Sequence, residues 1–484
     1  MNPATRSSSL DALADEAFDV LIVGGGIVGA GVARDAALRG MRTALVDQHD
    51  FAYGTSSRSS RLLHGGLRYL AQGRIGLVRE ASREKVILGR IAPHLCQPLA
   101  FVFPTYRGTP WPRWQLSVGV KLYDLLCGGQ NFGASRTLGR AITAELLPGI
   151  REDGLNGAVR YYDALTNDAR LVLDTIRSAA AAGAVVVNYA RLDQATREEE
   201  WWRCRLSNLP LDRSVTAKAR VIVNAGGPWA NRLPQSGVRL RLTKGVHLVI
   251  KHERLPVPDA VVMAEGRRIL FAIPWGRHVI LGTTDTDFRG EPESVRTEPD
   301  DVRYILDVAR AVFPAISLNE GDVLSTWAGL RPLVATGRGG PSDISRAHEI
   351  RSPVPGWIDV AGGKLTTYRL IAEQTVDRAL RHLGTAAERC TTHERPLLPA
   401  DAVEGMSGIE APPPSRQLVE HFCLNEWAMH LDDVMLRRAG WQYDRGAAQR
   451  ESLGREVVHW MGDALGWSDE YREAEVARYL ALPM

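Results

Sequence analysis

The sequence predicts an α/β protein in which a nucleotide-type parallel sheet is interleaved with a mostly antiparallel β-sheet domain and followed by an α-helical C-terminal domain. Three observations predict it. A strand, a glycine-rich turn and a helix follow one another near the N-terminus. The strand-then-glycine pattern returns twice, far downstream, around a stretch of alternating apolar residues. Beyond about Leu383 prolines give way to charged helical periodicity.

Phe18 to Val23 is a β-branched run suited to a strand buried on both faces. Gly24-x-Gly26-x-x-Gly29 follows and opens a helix that Gly40 stops. Thr43 to Val46 forms the second strand, ending on Asp47, eighteen residues past Gly29. In such a Rossmann-type βαβ unit the first glycine permits the tight turn and the second lets backbone approach a pyrophosphate. The third permits close helix–strand packing, and the acid accepts hydrogen bonds from a ribose. A dinucleotide is therefore expected at Gly24, Gly26, Gly29 and Asp47.

Ala217 to Val223 leads into Asn224-Ala225-Gly226-Gly227-Pro228, and Trp357 to Val360 into Ala361-Gly362-Gly363 with a helix from Lys364. Both read as further strands of the same parallel sheet, delivering loops to its C-terminal edge. Val238 to Gly282 suits the antiparallel sheet. The expected division is a loose N-terminal arm (1–17); a discontinuous nucleotide domain (18–106, 151–235 and 336–382); and a basic insertion (107–150). A substrate domain (236–335) and a helical C-terminal domain (383–484) complete it.

Composition narrows the function. With 45% apolar and 24% charged residues the chain is an ordinary globular one. Its 59 basic and 56 acidic residues leave +3, which gives no general basis for nucleic-acid binding. Five cysteines without a CxxC pair argue against a disulfide framework or structural zinc. Histidines without HxH or HExxH spacing suggest no metal. The first seventeen residues lack the apolar core of a signal peptide, and no apolar run is long enough for a spanning helix.

Residues 51–70 place a hydroxyl-rich loop after the second strand, where a nicotinamide enzyme would continue with βα units. Such a loop suits FAD better than NAD, with Gly65 and Gly66 allowing close backbone approach. Thr55-Ser56-Ser57 through His64-Gly65-Gly66-Leu67-Arg68-Tyr69-Leu70 resembles the flavin loop of FAD-dependent glycerol-3-phosphate dehydrogenases of the aerobic, quinone-linked type. The resemblance continues in Tyr162-Asp163, Asn167 to Leu171, Asn224 to Trp229, Lys244-Gly245-Val246-His247 and Ile273-Pro274-Trp275. It runs on through Gly282-Thr283-Thr284-Asp285, Gly329-Leu330-Arg331-Pro332 and Gly362 to Arg369, and reaches Asn425 to Ala428 and Asp432 to Arg438. It covers about residues 18–440. Val28 stands where the family often has Asn, and Asp47 replaces the commoner Glu with the same acceptors.

The resemblance implies oxidation of sn-glycerol 3-phosphate to dihydroxyacetone phosphate, with hydride passing from C2 to FAD and electrons to a quinone. It implies FAD contacts at Thr55, Ser56, Ser57, His64, Gly65, Gly66, Ala225, Gly226, Gly363, Lys364, Leu365 and Thr366, besides the first glycine motif and Asp47. Arg68, Tyr69, His247, Arg331 and Arg346 are the implied substrate contacts, with His247, Arg331 and Lys364 as catalytic residues. Arginine suits a bidentate phosphate contact, and Lys364 at a helix start needs an anion or flavin carbonyl to offset the macrodipole. The proton acceptor stays open between His247 and an arginine-held water; Thr283-Thr284-Asp285 reads equally as a site-shaping turn or an Asx turn.

Thr105 to Arg140 carries Arg107, Arg113, Lys121, Arg136 and Arg140 against Asp124, together with Trp111 and Trp114. This is a candidate membrane or quinone contact. Trp114 to Leu122 alternates like a strand, and Tyr123 to Leu126 fits a helix end. Peripheral attachment at the cytoplasmic face of the inner membrane is expected; oligomeric state stays open, with a homodimer as one option. Rival readings are a peroxide-forming glycerophosphate oxidase, an FAD oxidoreductase for an amino acid or 2-hydroxy acid, and a non-catalytic flavin-binding module.

Overall fold

A computed structural model describes residues 3–70, 73–209, 213–266, 268–335 and 348–482. The nucleotide sheet runs Glu349–Arg351, Trp357–Ala361, Arg213–Asn224, Ala17–Val23, Thr43–Val46 and Val185–Val187 in spatial order. All neighbours are parallel except the first pair. The four strands expected from the β-branched runs are thus adjacent, and their C-terminal ends share one edge. Ala17–Val23 lies at the centre because it is apolar on both faces; Val20 and Ile22 pack on one side, Phe18 and Leu21 on the other. A hairpin of Ala190–Glu198 and Trp201–Asn208 extends the long Arg213–Asn224 strand.

The second sheet is mostly antiparallel, as expected, but its membership is wider. Leu240–Lys251, Ala260–Glu265, Arg268–Trp275, His278–Gly282 and Val323–Val334 come from the expected substrate domain. Gln97–Tyr106 and Leu155–Leu165, assigned from sequence to the nucleotide domain, belong to this sheet too. The alternating pattern of these strands cannot say which sheet they join, because it marks a face and not a partner, and the link to the rest of the sheet, Phe101 with Ala260, spans a large sequence separation. Helix Pro299–Val312 covers the sheet with Ile305, Leu306 and Ala309.

Two local expectations are corrected. The N-terminal arm is a helix, α1 (Pro3–Asp15), not a loose segment. Leu10 and Leu13 bury against the nucleotide sheet, and the buried Arg6 donates to Asn188 Oδ1 at 2.9 Å and Asn208 Oδ1 at 3.1 Å. Two apolar residues three apart are too short a stripe to announce a helix. After α2 (Ile27–Leu38) and α3 (Ile75–Ile91) comes α4 (Arg113–Leu126), entirely helical where alternation suggested a strand. Leu116, Val120 and Tyr123 recur at helical spacing and are its buried face.

The C-terminal domain is helical, with Arg416–Asn425, Ala447–Leu465 and Asp469–Leu480 around Phe422, Met435, Trp441 and Met461. It is bound to the nucleotide domain by buried ions. Arg438 Nη2 and Arg437 Nε donate to Asp50 at 2.8 and 2.5 Å, and Arg170 donates twice to Glu426 at 2.6 and 2.9 Å. These carboxylates carry their charge because guanidinium partners offset burial.

Candidate active site

The two sheets meet at a cavity of about 610 Å³. The first glycine loop forms one end. Gly24 has φ +114°, and a Cβ there would stand 2.4 Å from Ala225 O. At Gly29 a Cβ would stand 1.8 Å from Gly24 O, so this glycine seats α2 on its strand and does not line the cavity. Asp47 accepts from Gly25 N–H at 2.6 Å and His49 N–H at 2.8 Å, using both oxygens. Its burial raises its pKa to about 7 despite those two bonds.

The hydroxyl-rich loop forms the adjoining wall. Ser56 Oγ accepts from Ile27 N–H at 3.0 Å, and Thr55 Oγ1 donates to Leu330 O at 2.6 Å, tying the nucleotide loop to the second sheet. His64 N–H donates to Thr366 Oγ1 at 3.0 Å, so the end of this loop is also pinned to the segment after Gly363. Lys364 Nζ stands 4.1 Å from the Tyr69 ring centroid.

Long strands of the second sheet bring the remaining groups. Thr243 pairs with Arg331 and His247 with Trp327 on neighbouring antiparallel strands. Arg331 lies across Gly245, where a Cβ would come within 2.5 Å of its guanidinium. The turn after Gly282 holds it, through Thr283 Oγ1 at 3.1 Å, Thr284 O at 3.2 Å and Asp285 Oδ1 at 3.2 Å. His247 is 2% exposed, stacks on Trp327 with centroids 5.1 Å apart, and its Nε2 is 2.8 Å from Ser60 Oγ. Burial, then Arg331 and Arg61, lower its pKa to about 3, so the ring is neutral at physiological pH. His247 Nδ1 and His49 Nε2 are buried without a hydrogen-bond partner among the described residues, and both residues line the cavity.

Of the residues singled out from sequence, Gly24, Gly26, Asp47, Thr55, Ser56, His64, Ala225, Gly226, His247, Arg331, Gly363, Lys364, Leu365 and Thr366 line this cavity. Gly29, Ser57, Gly65, Gly66 and Tyr69 stand behind the wall. Arg346 and the side chain of Arg68 lie outside the described residues. Sequence reasoning missed Ser60, Arg58 and His49. Ser60 and Arg58 lie inside the hydroxyl-rich loop, and His49 follows Asp47 by two residues, so position is the available signal.

Residues 19–378 match the family described as FAD dependent oxidoreductase. Glycerol-3-phosphate dehydrogenase of Mycobacterium leprae is 35% identical across 99% of this chain and 90% of its own length. Aerobic glycerol-3-phosphate dehydrogenase of Staphylococcus aureus is 37% identical across 78% and 71%. The chain belongs to the FAD-dependent glycerol-3-phosphate dehydrogenase family. The solved glycerol-3-phosphate dehydrogenase of Bacillus halodurans, complexed with FAD, superposes with TM-score 0.78 at 28% identity, covering 98% of this chain and 96% of that one. An L-α-glycerophosphate oxidase from Mycoplasma pneumoniae, at TM-score 0.63 and 17% identity, shares the fold.

The cavity suits the family's cofactor. The crowding at Gly24 and the acceptor pair of Asp47 make a cradle for pyrophosphate and ribose. The hydroxyls of Thr55 and Ser56 and the Gly363 to Thr366 segment continue the wall towards His247 and Arg331.

Proposed function

We propose that this protein oxidises sn-glycerol 3-phosphate to dihydroxyacetone phosphate and passes the electrons to a quinone at the membrane surface. The observation that carries the reading is one wall holding both an anchored guanidinium, Arg331, and a buried neutral imidazole, His247, beside the cofactor loops. A phosphomonoester needs the first and a secondary alcohol needs an acceptor like the second.

In this reading Arg331 binds the phosphate, its geometry set by Thr283, Thr284 and Asp285. His247 takes the C2 hydroxyl proton, and the substrate's negative charge offsets the cost of the imidazolium so formed. Ser60 and Trp327 orient the ring. Lys364 contributes positive charge near the cofactor loops. FAD, when bound, supplies the hydride acceptor for the C2–H. The protein's own work is to place substrate and cofactor against each other and to exclude water.

The quinone and membrane assignment is supported by α4. Its outer face exposes Trp114 at 68%, Val118 at 63% and Leu125 at 73%, all on one side of the helix. Arg107, Lys121, Arg136 and Arg140 of the same insertion are exposed as well. Basic residues together with an apolar ridge are the composition of a surface that lies on anionic lipid. No helix among the described residues is long and apolar enough to cross a membrane. The ridge supports peripheral attachment, which in this reading is at the cytoplasmic face of the inner membrane.

Anaerobic absorbance before and after sn-glycerol 3-phosphate tests the reaction. Bleaching of the flavin band near ~450 nm is the expected result, because only reduced flavin loses it. An unchanged spectrum from FAD-loaded protein would refute the substrate. Reoxidation by a soluble quinone faster than by oxygen is expected for the acceptor; equally fast peroxide formation would overturn the quinone assignment.

A further inference from the structure

Helix α4 also points inward. Tyr123, fully buried on its inner face, accepts a hydrogen bond from Gly65 N–H at 2.7 Å and donates a short one to Asp163. The same Asp163 oxygen accepts from Lys85 Nζ of α3 at 2.9 Å, and Lys85 is fully buried as well. Lys85 donates further to Asn131 Oδ1 at 2.9 Å and Tyr162 O at 3.1 Å. Burial and the neighbouring Asp163 raise the Tyr123 pKa well above the ordinary phenol range. The hydroxyl therefore keeps its proton for Asp163 and offers its lone pair to Gly65.

The contact is tight, and the only other acceptor for the Gly65 N–H among the described residues, Asp163 Oδ1, stands farther off at 3.4 Å. A Cβ at Gly65 would stand 2.4 Å from the Tyr123 hydroxyl and 2.8 Å from Ser82 Oγ. Gly66, at φ +81°, could not carry one without meeting the Tyr69 ring at 2.5 Å. His64, one residue earlier, lines the cofactor cavity and is tied to Thr366. The three-residue loop is thus held at one end by the cavity wall and at its middle by a residue with no access to the cavity.

We propose that Tyr123 is a positioning residue for the flavin, setting through the Gly65 N–H where the His64–Gly66 loop stands against the cofactor. Asp163 and Lys85 fix the hydroxyl in turn. A phenylalanine there would keep the ring's packing and leave Gly65 N–H and Asp163 each one partner short.

The test uses full-length, FAD-loaded Tyr123→Phe, with absorption spectrum and reduction potential measured in the absence of substrate. Because no substrate is present, the result is independent of the reaction proposed above. The expected outcome is normal FAD content, a displaced flavin absorption band and a shifted potential. In turnover, kcat falls about tenfold, the cost of one buried hydrogen bond, with little change in KM. A folded Phe variant with wild-type spectrum and potential overturns the proposal. Should that variant fail to retain FAD, Asp163→Asn keeps an acceptor for Tyr123 and removes the charge. A smaller displacement in the same direction is then expected, and an unchanged spectrum and potential overturn the proposal equally.

Discussion

Replacing Arg331 by alanine should cripple substrate use while leaving FAD in place. The guanidinium is anchored by Thr283, Thr284 and Asp285, and its side chain is only 21% exposed, so solvent screens it weakly. Losing a charged hydrogen-bond partner for a dianionic phosphate in such a setting costs on the order of 2–4 kcal/mol. That is a fall of about 30- to 1000-fold in kcat/KM. Asp285 adds to it, since its carboxylate would remain near the site without the Arg331 charge beside it. A second effect has a definite sign. Arg331 is the second-largest cause of the low pKa of His247, after burial. Its removal lets the imidazole protonate more readily, so the acid limb of the kcat/KM profile should move to higher pH. The assay is steady-state turnover with a soluble electron acceptor across pH, alongside FAD content by absorbance. Arg331→Lys, which keeps charge but not the fork, should fall between. An alanine variant with full FAD and kcat/KM within about threefold of wild type would refute the placement of the phosphate, because the smallest loss argued here is about 30-fold.

Three further outcomes are expected. Asp47→Asn puts an amide NH2 against either Gly25 N–H or His49 N–H, since both carboxylate oxygens are accepting; a cost of about 1–3 kcal/mol should appear as faster FAD release and lower Tm. In the apoprotein, His247 titrates near 3 when folded against 6.5 when unfolded, so the unfolded chain binds its proton first. Stability from this source is full above pH 6.5 and is lost as pH falls towards 3; His247→Asn should flatten that part of a denaturation series across pH. Trp114→Ser combined with Leu125→Ser should abolish co-sedimentation with anionic vesicles yet leave turnover with a soluble dye as electron acceptor unchanged, because both side chains face away from the buried side of α4.

Much of the fold was legible because its signals are local. The β-branched strand, the three glycines and Asp47 lie within thirty consecutive residues, and their physical demands are met by short-range geometry: a tight turn, a close packing contact, an acceptor at a strand end. The loops at Ala225–Gly226 and Gly363–Thr366 were equally readable, since each follows a strand whose burial on both faces fixes its place in a parallel sheet. The family resemblance then supplied His247, Arg331 and Lys364, which spacing by itself did not distinguish from a core histidine and two ordinary cations.

What tertiary structure decided was which of these groups face the same space. The sequence alone determined a dinucleotide-type α/β core, its glycine turns and the acid at the end of the second strand, because each depends on neighbours a few residues away. It could not assign Gln97–Tyr106 and Leu155–Leu165 to the second sheet, nor turn α1 into a docked helix, because those outcomes depend on partners distant in the chain. Nor could it separate Gly65 and Gly66, which stand behind the wall, from His64, which lines it. The neutral state of His247 is likewise a tertiary property, set by burial and by Arg331 on the adjacent strand, eighty-four residues away in sequence. Chemical type is written along the chain; charge state and shared location arise only when distant strands pair.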